Sequence, residues 1–205
     1  MTDKKTILEH AARMFLKNGI RVITMDDIAN ELGISKRTLY DIFESKELII
    51  SQIVDSHIEN ENKAFDKILN QSENSIDMML KLSKFIFVMY NKLHPSVLSD
   101  LKKYYSNIWQ RIEKFHNDSI RQIIELNLLN GMKEYLYREN IDPAIISLFY
   151  VKQLQLFSDE ENIHFEKKSK SEVIQQFVDH NMYGLMTDKG TKYYEQHKNQ
   201  LLIGI

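Results

Sequence analysis

Between Thr24 and Lys46 the chain runs TMDDIANELGISKRTLYDIFESK, and few folds can accommodate this stretch. Thr24 followed by Asp27 is a capping-box pattern: the hydroxyl oxygen accepts from an orphan amide, and the acid lies at the positive end of a helix. Ile28, Ala29 and Leu32 then supply an apolar face, with Ala29 small enough for another helix to approach closely. Gly33 stops the helix, because the residue after the last turn commonly takes positive φ. Ser35 is an N-cap for a second helix, Lys36 to about Ile42, with Leu39 and Ile42 facing inward. Two short helices joined by a glycine-containing turn form the helix-turn-helix pattern.

The second of these helices carries a local conflict. Lys36 and Arg37 occupy its first turn, where a cation opposes the helix dipole by about 0.3–1 kcal/mol. Lys46, after the Ser45 cap, repeats the conflict at the next helix. A solvated charged face accounts for any one of these residues. The set together points to anion binding, since a phosphate at that helix end reverses the sign of the effect. Thr38 and Tyr40 add hydroxyl donors on the exposed side.

Charge alone does not suggest nucleic acid. The net charge is −2, and residues 1–46 hold eight Lys/Arg against seven Asp/Glu, so the claim rests on where a few cations stand. With no cysteine among the 205 residues, disulfides, thiolate metal sites and cysteine nucleophiles are excluded. The longest apolar run, Phe85 to Tyr90, is six residues, far short of the roughly 20 that a membrane helix needs. The N-terminus shows no apolar signal segment, so the expectation is a cytoplasmic protein without a membrane partner. Two prolines, six glycines and no sustained period-2 pattern predict an all-α chain, and its 43 % apolar content is enough for a real core.

Helical spacing predicts a first helix from Asp3 to Asn18, on Ile7, Leu8, Ala11, Ala12, Phe15 and Leu16, closed by Gly19. After Lys46 a connecting helix runs to about Leu69. Ser75 to Leu93 is apolar around most of its circumference, which marks a central helix buried on most sides. A long helix follows from about Tyr104 to Asn130, where Gly131 closes or kinks it. Pro95 and Pro143 mark helix starts, and Pro143 to Phe157 forms the next helix. Ser158 to Ser171 reads as a polar loop, and Glu172 to Met186 as the last main helix. Lys189-Gly190 breaks it before a short tail.

The order Thr24, Ile28-Ala29, Gly33-Ile34-Ser35, Thr38-Leu39-Tyr40, Phe43, Ser45-Lys46 resembles the DNA-binding domain of the TetR family of transcriptional regulators. The resemblance covers about Lys5 to Leu48. It is specific, because a generic helix-turn-helix does not demand the Tyr-x-x-Phe-x-Ser-Lys run. It implies that Thr24, Ser35, Lys36, Tyr40 and Lys46 touch phosphates of an operator duplex, and that Arg37 and Thr38 lie near the groove. The chain departs from the pattern at Ile42, where a polar His is frequent, and at Asp41. Asp41 either faces away from DNA or accepts from a cytosine amino group.

The resemblance further implies a three-helix DNA-binding domain over residues 1–46, then a helical bundle over 47–205 for effector binding and dimerisation. The last two main helices would pair with their copies in a homodimer, through Phe149, Leu156, Val173, Ile174, Phe177, Val178 and Leu185. Ordinary intrachain core explains those apolar faces nearly as well. Ordinary core accounts for most of Phe85, Met89, Tyr90, Tyr105, Trp109, Phe115 and His116; adaptable Met beside polar-tipped aromatics also suits a pocket, lined by the same residues, for a small apolar or aromatic effector. The whole reading is a repressor that binds a palindromic operator as a homodimer and is released by an effector.

Two other classes compete. Glu113…His116 and Glu161…His164 match the Glu-x-x-His pairs of di-iron bundles. Yet the second pair falls in the polar loop, and no glutamate inside Ser75–Leu93 supplies the missing ligands. No phosphate loop, nucleophile elbow or zinc-protease run is present, and no cofactor is expected. A helical interaction module that no longer binds DNA is the other alternative, kept open by Asp41 and Ile42.

Overall fold

The computed structural model describes residues 3–91, 94, 96–156 and 168–202. The described elements are α1 (Lys4–Asn18), α2 (Met25–Glu31), α3 (Lys36–Ile42), α4 (Lys46–Gln71), α5 (Ser75–Asn91), α6 (Ser96–Tyr104) and α7 (Ser106–Phe115). A π-helical segment (His116–Ile120) leads into α8 (Arg121–Lys133), α9 (Pro143–Leu156), α10 (Lys170–Leu185) and α11 (Asp188–Leu202). Among the described residues there is no strand, only an isolated antiparallel bridge between Tyr137 and Met186. The chain divides into two compact units, residues 1–62 with 92–114 and residues 63–91 with 115–205.

The first unit is built on the helix-turn-helix. Asp3 caps α1, accepting from the Thr6 amide at 2.7 Å, and Gly19 closes it at φ 86°, donating its N–H to Phe15. Ile7, Ala11 and Phe15 of α1 join Ile28, Ala29, Leu39 and Phe43 in one core. Val97 and Leu101 of α6 and Ile108 and Ile112 of α7 complete that core. The buried Asp100 carboxylate accepts from the amides of Ile20 (3.0 Å) and Arg21 (2.9 Å), satisfying the turn after α1. Arg111 forks onto Asp55 (2.6 Å) and Ser51 Oγ (2.9 Å), fastening α7 along the first half of α4.

In the second unit α5 packs against α8 and α11, with Ile76, Met79, Leu80, Leu82 and Phe87 buried. Its N-terminus is held by a buried polar cluster: Asn127 donates to the Ser75 carbonyl (2.8 Å), Tyr137 donates to the same carbonyl (3.0 Å) and approaches Asn127 Oδ1 (3.1 Å). Glu134 accepts from the Ser75 amide at 2.9 Å.

Several sequence expectations change here. The helix expected from Tyr104 to Asn130 is interrupted at Tyr105 and again by the π-helical segment. Gly131 neither closes nor kinks it but lies inside α8, where a Cβ would overlap the Tyr137 ring. The expected tail after Lys189-Gly190 is the fifteen-residue α11. Thr187 Oγ1 accepts from the Gly190 amide (3.2 Å), as an N-cap does, and Gly190 admits the Leu136 carbonyl where a Cβ would clash. Ser169 is the cap of α10, with a capping box to Glu172, so that helix begins two residues before the expected start. Asp142 caps α9 as expected, accepting from Ala144 (2.9 Å) and Ile145 (3.1 Å). Pro95, Phe157 and the Glu161…His164 pair lie outside the described residues.

Candidate nucleic-acid interface

The geometry of α2, the turn and α3 follows the local chemistry of the sequence. Thr24 Oγ1 accepts from the Asp27 amide (3.2 Å) while Asp27 Oδ2 accepts from the Thr24 amide (2.8 Å), completing the capping box. The Thr24 hydroxyl, donating to Asp27 Oδ2 at 2.6 Å, together with the Thr24 amide, holds the Asp27 carboxyl below its ordinary range. Gly33 takes φ 63° with open space around it, so its role is conformational. Ser35 accepts from the Thr38 amide (3.0 Å), and its hydroxyl lies 2.7 Å from that of Thr38. Leu39 is fully buried and Ile42 packs half-buried against the same core, which leaves Lys36, Arg37, Thr38, Tyr40 and Asp41 exposed.

The two lysines that open their helices are used differently. Lys36 Nζ pairs with Asp26 on the first turn of α2, at 2.7 Å from Oδ1 and 3.0 Å from Oδ2. That hydrogen-bonded pairing raises its pKa. Lys36 also lies 6.0 Å from the Tyr40 ring centroid. Lys46 turns inward. Its ammonium donates to the Ile20 carbonyl at 2.6 Å and lies 5.7 Å from the Phe15 ring centroid. Burial lowers its pKa, opposed by Asp100 and Asp27. Lys46 therefore bonds to carbonyls at the α1–α2 turn, and its conflict with the dipole of α4 is resolved inside the unit.

The residues expected at an effector pocket divide between the units. Phe85 and Phe115 gather round Phe65 in the second unit, with ring centroids at 5.5 and 6.2 Å. Met89 is half-buried in the same unit, and His116 opens the π-helical segment 5.8 Å from the Phe115 ring. Tyr105 and Trp109 pack on the core of the first unit. The side chain of Tyr90 lies outside the described residues. A separate apolar crevice between α5, α9 and α10, lined by Ile86, Phe87, Leu154, Ile174 and Phe177, has a volume of about 20 Å³. That is room for about one water. Its polar pair is satisfied: Tyr150 and Ser83 hydroxyls lie 3.2 Å apart, and Ser83 donates to Met79.

Of the residues expected between copies, Phe149 is 55 % exposed, whereas Val178 (1 %) and Leu185 (4 %) belong to the chain's own core. Val173, Ile174 and Phe177 are half-buried, and the side chain of Leu156 is not among those described. Within the two helices expected to pair, Ile145 (49 % exposed) and Leu148 (36 %) extend the apolar face of Phe149 along α9, and Tyr183 (46 %) is exposed on α10; none of the three is singled out by sequence alone. Helical spacing places the first two on the same face as Phe149.

Among the described residues no group of three or more His, Asp or Glu gathers to hold a metal, and no helix is long and apolar enough to cross a membrane. One buried carboxylate stands apart: Glu61 is 6 % exposed, its Oε2 is unpartnered, and burial lifts its pKa to about 7. Its other oxygen lies 3.8 Å from His57 Nε2.

The family described as bacterial regulatory proteins, tetR family, matches residues 7–53, which span α1 to the start of α4. The chain is 28 % identical over 188 residues to the uncharacterized HTH-type transcriptional regulator YvaF of Bacillus subtilis (strain 168), covering 90 % of this chain and 96 % of that one. It is 29 % identical over 127 residues to IcaR, the biofilm operon icaADBC HTH-type negative transcriptional regulator of Staphylococcus aureus (strain Newman), covering 60 % of this chain and 67 % of that one. A gamma-butyrolactone receptor (ArpA-like protein) shares the fold with a TM-score of 0.72 at 16 % identity, over 97 % of this chain and 96 % of that one.

Proposed function

We propose that the chain is a transcriptional regulator of the TetR family rather than an enzyme, and that it represses transcription as a homodimer on a palindromic operator and is released by a small effector. The observation that carries the DNA-binding reading is the capped α2–turn–α3 arrangement, which buries Leu39 and presents Lys36, Arg37, Thr38 and Tyr40 on one exposed side. Thr24 and Ser35 remain candidates for phosphate contact at the helix ends. Residues 1–46 form the reading head in this proposal, and 47–205 serve dimerisation and effector binding. A two-fold dimer spaces its recognition helices by roughly 34–36 Å or a multiple of it, so half-sites recur one turn of DNA apart. That IcaR acts negatively supports repression over activation. The exposed apolar row Ile145, Leu148 and Phe149 supports a dimer face on α9. The fold shared with a gamma-butyrolactone receptor supports an effector, apolar or aromatic in keeping with Phe65, Phe85 and Phe115. The protein works in the cytoplasm, where its operator is.

The test is anisotropy titration with the duplex upstream of the protein's own coding sequence, across a salt series, with sedimentation of the free protein. Tight binding with a steep salt slope by a dimer is expected. Ile145→Lys with Phe149→Glu should give a folded monomer that loses operator binding. A folded dimer that prefers no sequence over random duplex overturns the reading in favour of an interaction module.

A further inference from the structure

Lys36 is already neutralised before any DNA arrives. Asp26 of α2 holds its ammonium through both carboxylate oxygens, at 2.7 and 3.0 Å, across the turn between the two helices. The pair is solvent-accessible, with side chains 59 % and 55 % exposed, so it can open without unfolding anything. Asp26 is not needed for the cap of α2, which Thr24 and Asp27 complete by themselves. Nor does it bury apolar surface. Like Asp27 it lies in the first turn of α2, where an acid favours the helix dipole, and it also holds an anion against Lys36 on the exposed side that carries Arg37, Thr38 and Tyr40.

We propose that Asp26 is a positioning residue for DNA binding: it occupies the Lys36 ammonium in place of a phosphate and must be exchanged for one when the duplex docks. The inference rests on the DNA-binding reading above. Its consequence is thermodynamic. A free lysine that neutralises a phosphate releases about 0.9 of a condensed counterion. A lysine taken from a carboxylate leaves that carboxylate unpaired beside the duplex, where it gathers a cation. The exchange then releases little net salt, and Lys36 contributes little to the salt dependence of binding. Asp26 also adds like-charge repulsion toward the approaching backbone. Non-specific association is weakened by both effects, independent of base sequence, because no base edge takes part.

The experiment uses the full chain and a random-sequence duplex long enough for two half-sites, in an anisotropy series from low to high salt. Asp26→Asn should tighten binding about two- to fivefold near 0.1 M salt, the range of a single exposed ion pair. It should also steepen the slope of log K against log salt by about one unit. Asp26→Ser, which likewise removes the carboxylate, should do the same. Lys36→Ala should flatten the slope by much less than one unit in the parent and by about one unit in the Asp26→Asn background. That non-additivity is the signature of the exchange, which a purely structural role for Asp26 does not produce. Unchanged affinity and slope in both Asp26 variants overturns the proposal. So does weaker binding with unaltered helical content and melting temperature, which would make Asp26 a contact residue. If the parent chain binds no duplex at any salt, the DNA-binding reading falls and this inference with it.

Discussion

The helix-turn-helix and the α5-centred unit handle polar groups in opposite ways. In the first, the hydroxyls and carboxylates of Thr24, Asp27, Ser35 and Thr38 bond within three residues and stay exposed. In the second, Ser75, Asn127 and Tyr137 bond across separations of 52 and 62 residues and are buried. Local, exposed caps specify a small rigid shape while leaving donors free for a partner. Distant, buried bonds specify which helices pack together, because a mispaired group there loses its partner with no water to replace it. Buried carboxylates of the first unit break this division: Asp100 bonds amides some 80 residues away, and Glu61, with Oε2 unpartnered, is the sharper exception.

That exception yields the largest expected effect. With its pKa raised from 4.5 to about 7 by burial, folding favours the protonated form of Glu61. Its contribution is fully present below pH 4.5 and is lost as pH rises through 7. Urea unfolding should therefore show Glu61→Gln equal to the parent near pH 4.5 and more stable at pH 8, by up to about 3 kcal/mol. A parent-minus-variant difference that does not vary with pH would return Glu61 to the exposed pattern.

Next comes Asn127→Ala, which strips the Ser75 carbonyl of one donor and Tyr137 of an acceptor in a dry site. A loss of about 2 kcal/mol is expected in denaturant unfolding, and the α5 amides near Ser75 should lose hydrogen-exchange protection. Thr24→Ala, by contrast, removes an exposed local cap and should cost about 1 kcal/mol, confined to α2 amides. If the two substitutions cost the same, burial and distance do not distinguish the regions. The smallest effect is expected at Lys46. Lys46→Met keeps the stem over Phe15 but removes the bond to the Ile20 carbonyl. It should lower the melting temperature slightly and leave the salt slope of DNA binding unchanged; a flatter slope would return Lys46 to phosphate contact.

The two units also differ in how much of them can be read from residue order. The capping box at Thr24–Asp27, the positive φ at Gly33 and the Ser35 cap were legible because each depends on residues at most a few positions away. The apolar nature of α5 and the cap of α9 at Asp142 were legible for the same reason. Lys36 and Arg37 in the first turn of α3 are legible as a local conflict, but the partner of Lys36 is not. Asp26 lies ten positions from Lys36, and only the angle between α2 and α3 brings them together.

Sequence by itself determined an all-α chain and the capped helices of the helix-turn-helix, since periodicity and capping are local properties of the backbone. Tertiary structure decided the rest. It joined α6 and α7 to the core of the first unit, where Asp100 satisfies two amides some 80 residues away. It made Gly131 and Gly190 points of close approach inside helices rather than breaks, because the Tyr137 ring and the Leu136 carbonyl, both from the loop after α8, fill the space a Cβ would take. It assigned Val178 and Leu185 to the interior and left Ile145 and Phe149 outside. An apolar side chain looks the same in the sequence whether it faces its own core or a partner. Which of the two it meets depends on how distant helices pack, and no local pattern encodes that.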